Sequence, residues 1–122
     1  MDHFEHERLD VYKTTIDFLA LADEIIEHLP RGRGYLSDQL QRASTSILLN
    51  LAEGAGEFAS LEKARLYRIA RRSATECAAI LDVCRTRKLA DPTQLGAGRD
   101  LLLRIVAMLT RMVLNSAEKA GG

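Results

Sequence analysis

Apolar residues recur along this chain at steps of three and four, and proline, glycine and polar clusters cut that rhythm into four helical windows. In the first, about residues 9–29, Leu9, Tyr12, Ile16, Leu19 and Ile26 form one stripe, and Val11, Phe18, Ala22, Ile25 and Leu29 an adjacent one. The apolar face is therefore wide. Pro30-Arg31-Gly32-Arg33-Gly34 should end this helix and turn the chain. The second window, about 37–52, takes Ser37 as its expected N-cap and turns Leu40, Ala43, Ile47 and Leu51 inward. Gly54-Ala55-Gly56 is expected to close it.

The third window, about 60–88, starts at Ser60, an expected N-cap, with Lys63 where a capping box would place Glu or Gln. Tyr67, Ala70, Ala74, Cys77, Leu81 and Cys84 recur at steps of 3, 4, 3, 4 and 3, a heptad-like seam whose small residues allow close helix approach. Asp91-Pro92 signals the fourth, about 93–118. Gly96 and Gly98 weaken its first turns, so its firm part is expected from Arg99. Leu101, Leu103, Ile105, Met108, Met112 and their neighbours cover more than half its girth, and residues 119–122 are expected to fray. No segment sustains period-two alternation. The prediction is one all-α domain over 1–122, an antiparallel up-down-up-down four-helix bundle. The apolar stripes on the first and fourth helices exceed what one small core needs, which predicts burial against further copies of the chain.

Composition refines this picture. The 122 residues are 47% apolar and 28% charged, ordinary for a globular domain. The formal charge is zero, so nothing global points to an anionic partner. The distribution is uneven: residues 1–59 carry eleven acids and five bases, and residues 60–122 carry six acids and twelve bases. Either the halves attract each other, within or between subunits, or the basic half faces an anionic partner. Interspersion of the charges with apolar residues favours the first. Cys77 and Cys84, on one helix, would stand roughly 10.5 Å apart at about 1.5 Å per residue, beyond disulfide reach. Reduced, buried thiols fit a cytoplasmic protein. The charged start MDHFEHERLD is no signal peptide, and no apolar run suffices for a membrane span.

Two polar groupings are candidates for function. Gln39, Arg42, Ser46, Asn50 and Glu53 share one face of the second helix, and Ser73 and Glu76 flank the seam of the third. If the faces meet, Arg42 could pair with Glu76 or Glu53 in a partly buried network. The simpler reading is that the network fixes register and subunit contacts; the other is a ligand or catalytic site. Arg65, Arg68 and Arg72, with Arg71 alongside, form a basic stripe on the third helix that could track phosphates or be a solvated face. No catalytic motif emerges: there is no phosphate loop, no GxSxG elbow and no Cys/His pair with a helper. His3, His6 and His28 offer no metal spacing, and Glu24 and His28 are four apart instead of the three of a di-iron bundle. No catalytic, cofactor or metal residue is assigned.

Gln39-Leu40-Gln41-Arg42-Ala43-Ser44-Thr45-Ser46-Ile47, then Asn50-Leu51-Ala52-Glu53-Gly54, resembles the signature of the four-helix-bundle proteins encoded in intervening sequences of bacterial 23S ribosomal RNA genes, close to QLRRAAxSIxxNIAEG. Leu9-Asp10-Val11-Tyr12-Lys13 and the pattern of Tyr67, Ala70-Arg71, Ser73 and Glu76 resemble its first and third helices, so the likeness spans roughly residues 4–115. Arg42, Ser46, Asn50, Glu53, Ser73 and Glu76 match motif positions. Gln41 and Leu51 are mild departures; Arg72 stands where the family usually has glycine, which bears on close packing or on a subunit contact. The resemblance implies a ring-like homopentamer without enzymatic activity, and kinship with accessory proteins of diversity-generating retroelements, which bind nucleic acid with a reverse transcriptase. The expected function is a non-enzymatic oligomeric bundle associated with RNA or a nucleoprotein complex; the alternative is a protein-interaction scaffold without nucleic acid.

Overall fold

The computed structural model describes residues 3–121. A 3-10 turn, Glu5–Arg8, precedes four helices: α1 Asp10–Glu27, α2 Gly34–Gly56, α3 Ser60–Thr86 and α4 Pro92–Gly121. Each helix packs on its neighbours in sequence and α4 closes back on α1, giving a four-helix bundle. Cross-links at the ends set the antiparallel order. Lys63 at the start of α3 meets the end of α2, Arg87 just past the end of α3 meets Tyr35 at the start of α2, and Gln94 of α4 meets Glu24 of α1.

The core follows the predicted stripes. Phe18, Ile25, Leu40, Ile47, Leu51, Cys77, Ile105 and Leu109 are fully enclosed. Ala70 and Ala74 on α3 are as deeply buried, and α3 packs more extensively on α2 and α4 than α1 does. Small side chains on the central helix let two neighbours approach it closely. Buried Thr14 and Thr15 turn their hydroxyls back to the carbonyls of Asp10 and Val11 at 2.9 and 2.7 Å, so their burial leaves no polar group unsatisfied.

Several boundaries differ from the sequence pattern. α2 begins at Gly34, before Ser37, because Gly32 at φ +87° turns the chain early and the Arg33 carbonyl accepts the amides of Leu36 and Ser37 at 3.0 and 3.3 Å. This first turn buries Leu36. α2 also continues through Gly54-Ala55-Gly56. Gly54 is no stop: it lies beneath the Tyr67 ring, where a Cβ would come within 2.6 Å of Cε1. Ser60 is the first residue of α3, and its cap is not used; the Glu57 carboxylate accepts the Phe58 and Ala59 amides instead, both at 3.0 Å. α3 ends at Thr86, with Lys88 left-handed at φ 57° and the Leu89 amide donating to the Cys84 carbonyl at 2.8 Å.

α4 is helical from Pro92, and Asp91 caps it through a 2.9 Å bond from the Thr93 amide to its carboxylate. Gly98 does not loosen it, because the missing side chain makes room for Leu81, which a Cβ would approach to 2.9 Å. Residues 119–121, expected to fray, continue the helix; Gly122 lies outside the described residues. Among the described residues, no helix is long and apolar enough to cross a membrane.

Candidate functional site

The face shared by α2 and α3 gathers most of the predicted polar set. Ser46 and Asn50 stand one turn apart on α2, half-buried. The Asn50 amide donates to the Ser46 carbonyl at 2.9 Å and to Ser46 Oγ at 3.1 Å. From α3, the Ser73 hydroxyl donates to Ser46 Oγ at 2.9 Å, joining the helices through three neutral side chains. One turn toward the start of α2, Arg42 Nη2 lies 3.9 Å from Glu76 Oε2. Their side chains are 72% and 51% exposed, so this pair sits in water above the cluster, not inside it as the sequence suggested. The helix-facing positions are taken by Ala43, Ile47 and Ala74, which leaves the longer charged groups to project outward. Glu53 is exposed and joins Glu62 in the acidic surroundings of Arg65; Gln39 is exposed and stands apart from the cluster.

The arginines of α3 divide. Arg65 is held by Glu62 one turn earlier, with its Nε donating at 2.6 Å. Arg71 turns toward α4, where its Nε donates to the Thr110 hydroxyl at 2.7 Å, and Thr110 in turn donates a hydrogen bond to the Val106 carbonyl. Arg68 and Arg72 are exposed, with no carboxylate within ion-pair distance among the described residues. Arg72 points outward, so its bulk costs the bundle no packing.

Two local devices escaped the sequence reading. Lys63 reaches back nine residues and donates to the carbonyls of Gly54 and Ala55 at 2.6 and 3.1 Å, while its ammonium lies 5.6 Å from the Tyr67 ring centre. It caps the end of α2, a role that a cation suits and a Glu could not fill. Partial burial lowers its pKa, against the opposing pull of Glu57 and Glu5. At the other end, Arg33 and Arg87 both donate to the Tyr35 hydroxyl, at 3.1 and 2.9 Å. A lysine a few residues past Gly-Ala-Gly was the readable signal for the first; the second depends on tertiary register.

Cys77 and Cys84 are free and buried. Burial, reinforced by the charge of Glu76, pushes the Cys77 thiol from 9.0 up to about 12; burial alone raises Cys84. Such thiols stay protonated and unreactive. His28 Nδ1 lies 2.8 Å from the Glu24 carbonyl, and His6 packs against Tyr12 with ring centres 4.9 Å apart. Among the described residues, no three of His, Cys, Asp and Glu gather as metal ligands.

The model of the 23S rRNA-intervening sequence protein family matches residues 7–111. The chain belongs to this family. No curated protein matches the chain. In this intervening-sequence protein the matched span contains both the Ser46–Asn50–Ser73 cluster and the arginine ridge, and it runs through α4 as far as Arg111. The α2 signature divides by depth. Its apolar members Leu40, Ala43, Ile47 and Leu51 build the core, Ser46, held by Asn50, ties α2 to α3 through Ser73, and Arg42 and Glu53 face solvent.

Proposed function

We propose that this intervening-sequence protein is a non-enzymatic, cytoplasmic helical bundle that assembles with copies of itself and associates with RNA through Arg68 and Arg72. The observation that carries the RNA reading is that these two guanidinium groups stand exposed, one turn apart and without an acidic partner among the described residues. Unneutralised arginines at helical spacing suit backbone phosphates, and repetition around an assembly would multiply them. Arg71, already committed to Thr110, is a weaker candidate. Self-association is supported by large apolar side chains left exposed in mid-bundle, Leu49 on α2 and Leu103 on α4, at 55% and 57%. A ring of five is the assembly the resemblance implies. A non-enzymatic reading is supported by the polar cluster itself: the Ser46 hydroxyl accepts from Ser73 and from the Asn50 amide, and among the described residues no base is bonded to either hydroxyl.

Retention on structured RNA across a salt series tests this. Wild-type protein should elute later at low salt, and Arg68→Glu with Arg72→Glu should lower the salt slope by roughly 1.5, near 0.7–0.9 per phosphate contact. No retention at low salt, or an unchanged slope in the double variant, would leave the second reading, a protein scaffold without nucleic acid, which the zero net charge favours.

A further inference from the structure

Between α3 and α4 runs a groove of about 190 Å³ whose walls are Thr75 and Ala78 on one side and Arg99, Leu102, Leu103 and Val106 on the other. Its surface is overwhelmingly apolar, and Leu103 stands 57% exposed at its lip. The charged groups along it are mainly basic: Arg99 at one end and Arg71, bonded to Thr110, farther along, while nearby Asp82 is taken up by Arg85. An apolar trough with a basic rim calls for a helix that carries an apolar ridge between acids.

The chain contains such a helix. On the outer face of α1, Ile16 and Ala20 are exposed one turn apart, and Asp17, Asp23 and Glu27 beside them are exposed with no ion-pair partner among the described residues. Lys13 is the one base on that face, at its N-terminal end. The outer face of α2, which exposes Leu49, mixes Arg42 with Asp38 and Glu53 and lacks this single-signed flank. We infer that the α1 face of one copy docks in the α3–α4 groove of the next. The inference rests on the self-association proposed above and specifies the two surfaces that meet.

The ridge and the groove lie on different sides of one bundle, so the contact is head-to-tail. Every copy then uses both surfaces, and repetition closes a ring when the rotation allows. Ile16 and Ala20 fill the trough while Asp17 and Asp23 meet Arg99 and Arg71. At helical spacing Arg72 lies on the side of α3 that leads to Glu76 and α2, so the groove can be covered while Arg72 stays free.

Two charge-reversed variants at exposed positions test this: Asp17→Arg with Asp23→Arg damages the ridge, and Arg99→Glu with Leu103→Glu damages the groove. Light scattering should find the wild type as a multi-chain assembly and each variant as a single chain, with helical circular dichroism intact. An equimolar mixture should form a two-chain complex and stop there, since each variant keeps the surface the other lacks. Variants that hold the wild-type mass, or a mixture that stays monomeric, would overturn the inference while leaving self-association standing. A wild type that is itself monomeric would instead overturn the self-association. Should a reversal variant misfold, Ile16→Cys in one population and Leu103→Cys in another decide the matter. A disulfide between them under mild oxidant is expected, and its absence in an intact assembly contradicts the docking.

Discussion

The ring of Tyr67 occupies the space that a side chain on Gly54 would need: a Cβ there would stand 2.6 Å from Cε1 and 2.8 Å from Cδ1. Tyr67 is 5% exposed and packed in the core, so the ring has little freedom to withdraw. Gly54→Ala should therefore destabilise the protein by roughly 1–2 kcal/mol, overpacking outweighing the approximately 1 kcal/mol that alanine gains as a helix former. Gly96→Ala, with open space around it, should stabilise by about 1 kcal/mol, and Gly98→Ala, which crowds the end of Leu81 and meets Leu21 and Phe18 at ordinary contact distance, should fall between. Chemical denaturation of the three variants checks the order.

Lys63→Met keeps the aliphatic stem and removes the ammonium that caps α2. Two bonds to the carbonyls of Gly54 and Ala55 disappear, and the expected loss is roughly 1–2 kcal/mol. Amide hydrogen exchange should quicken in the last turn of α2 more than in the middle of α3. Uniform quickening throughout would contradict a local capping role.

Alkaline pH should unfold the protein through Cys77. Its folded pKa is raised from 9.0 to about 12, so its contribution to stability is complete below about pH 9 and is lost as pH rises toward 12. The slope contributed is at most about 1.4 kcal/mol per pH unit. Tyr67 and Cys84, also raised, add in the same direction. Lys63, lowered by burial, acts oppositely just below 10.5, where the unfolded chain holds the proton that the folded chain has released. Cys77→Ala should flatten the decline between pH 9 and 11 relative to its own neutral stability. A parallel curve would show that the thiol is not the cause.

Arg42→Leu should change the stability of the isolated chain by no more than about 0.5 kcal/mol, because the Arg42–Glu76 pair is long and mostly in water. Removing the arginine leaves no buried carboxylate behind. A loss of several kcal/mol in dilute, unassembled protein would contradict the observed geometry. A loss seen only in the assembly would place Arg42 at a subunit contact.

The four helices were legible because apolar residues keep helical spacing and Pro30 and Pro92 interrupt it where the chain must turn. The union of Ser46, Asn50 and Ser73 was legible in outline, since the first two share a face of α2 and Ser73 flanks the α3 seam. The depth of Arg42 was not: spacing places a residue on a face, while its neighbours decide whether a long side chain bends inward or projects. Gly54 was misread because a glycine that ends a helix and one that admits a ring look alike in sequence; only the position of Tyr67 separates them. Arg71 was grouped with Arg68 and Arg72 because its attachment to Thr110 depends on the register of α4, thirty-nine residues away.

Molar mass by light scattering, with nucleic-acid absorbance read on the same peak, tests the central claim most directly. The account predicts an assembly of several 13.6 kDa chains that carries RNA at low salt and sheds it as salt rises. A single free chain at every concentration and salt would contradict it.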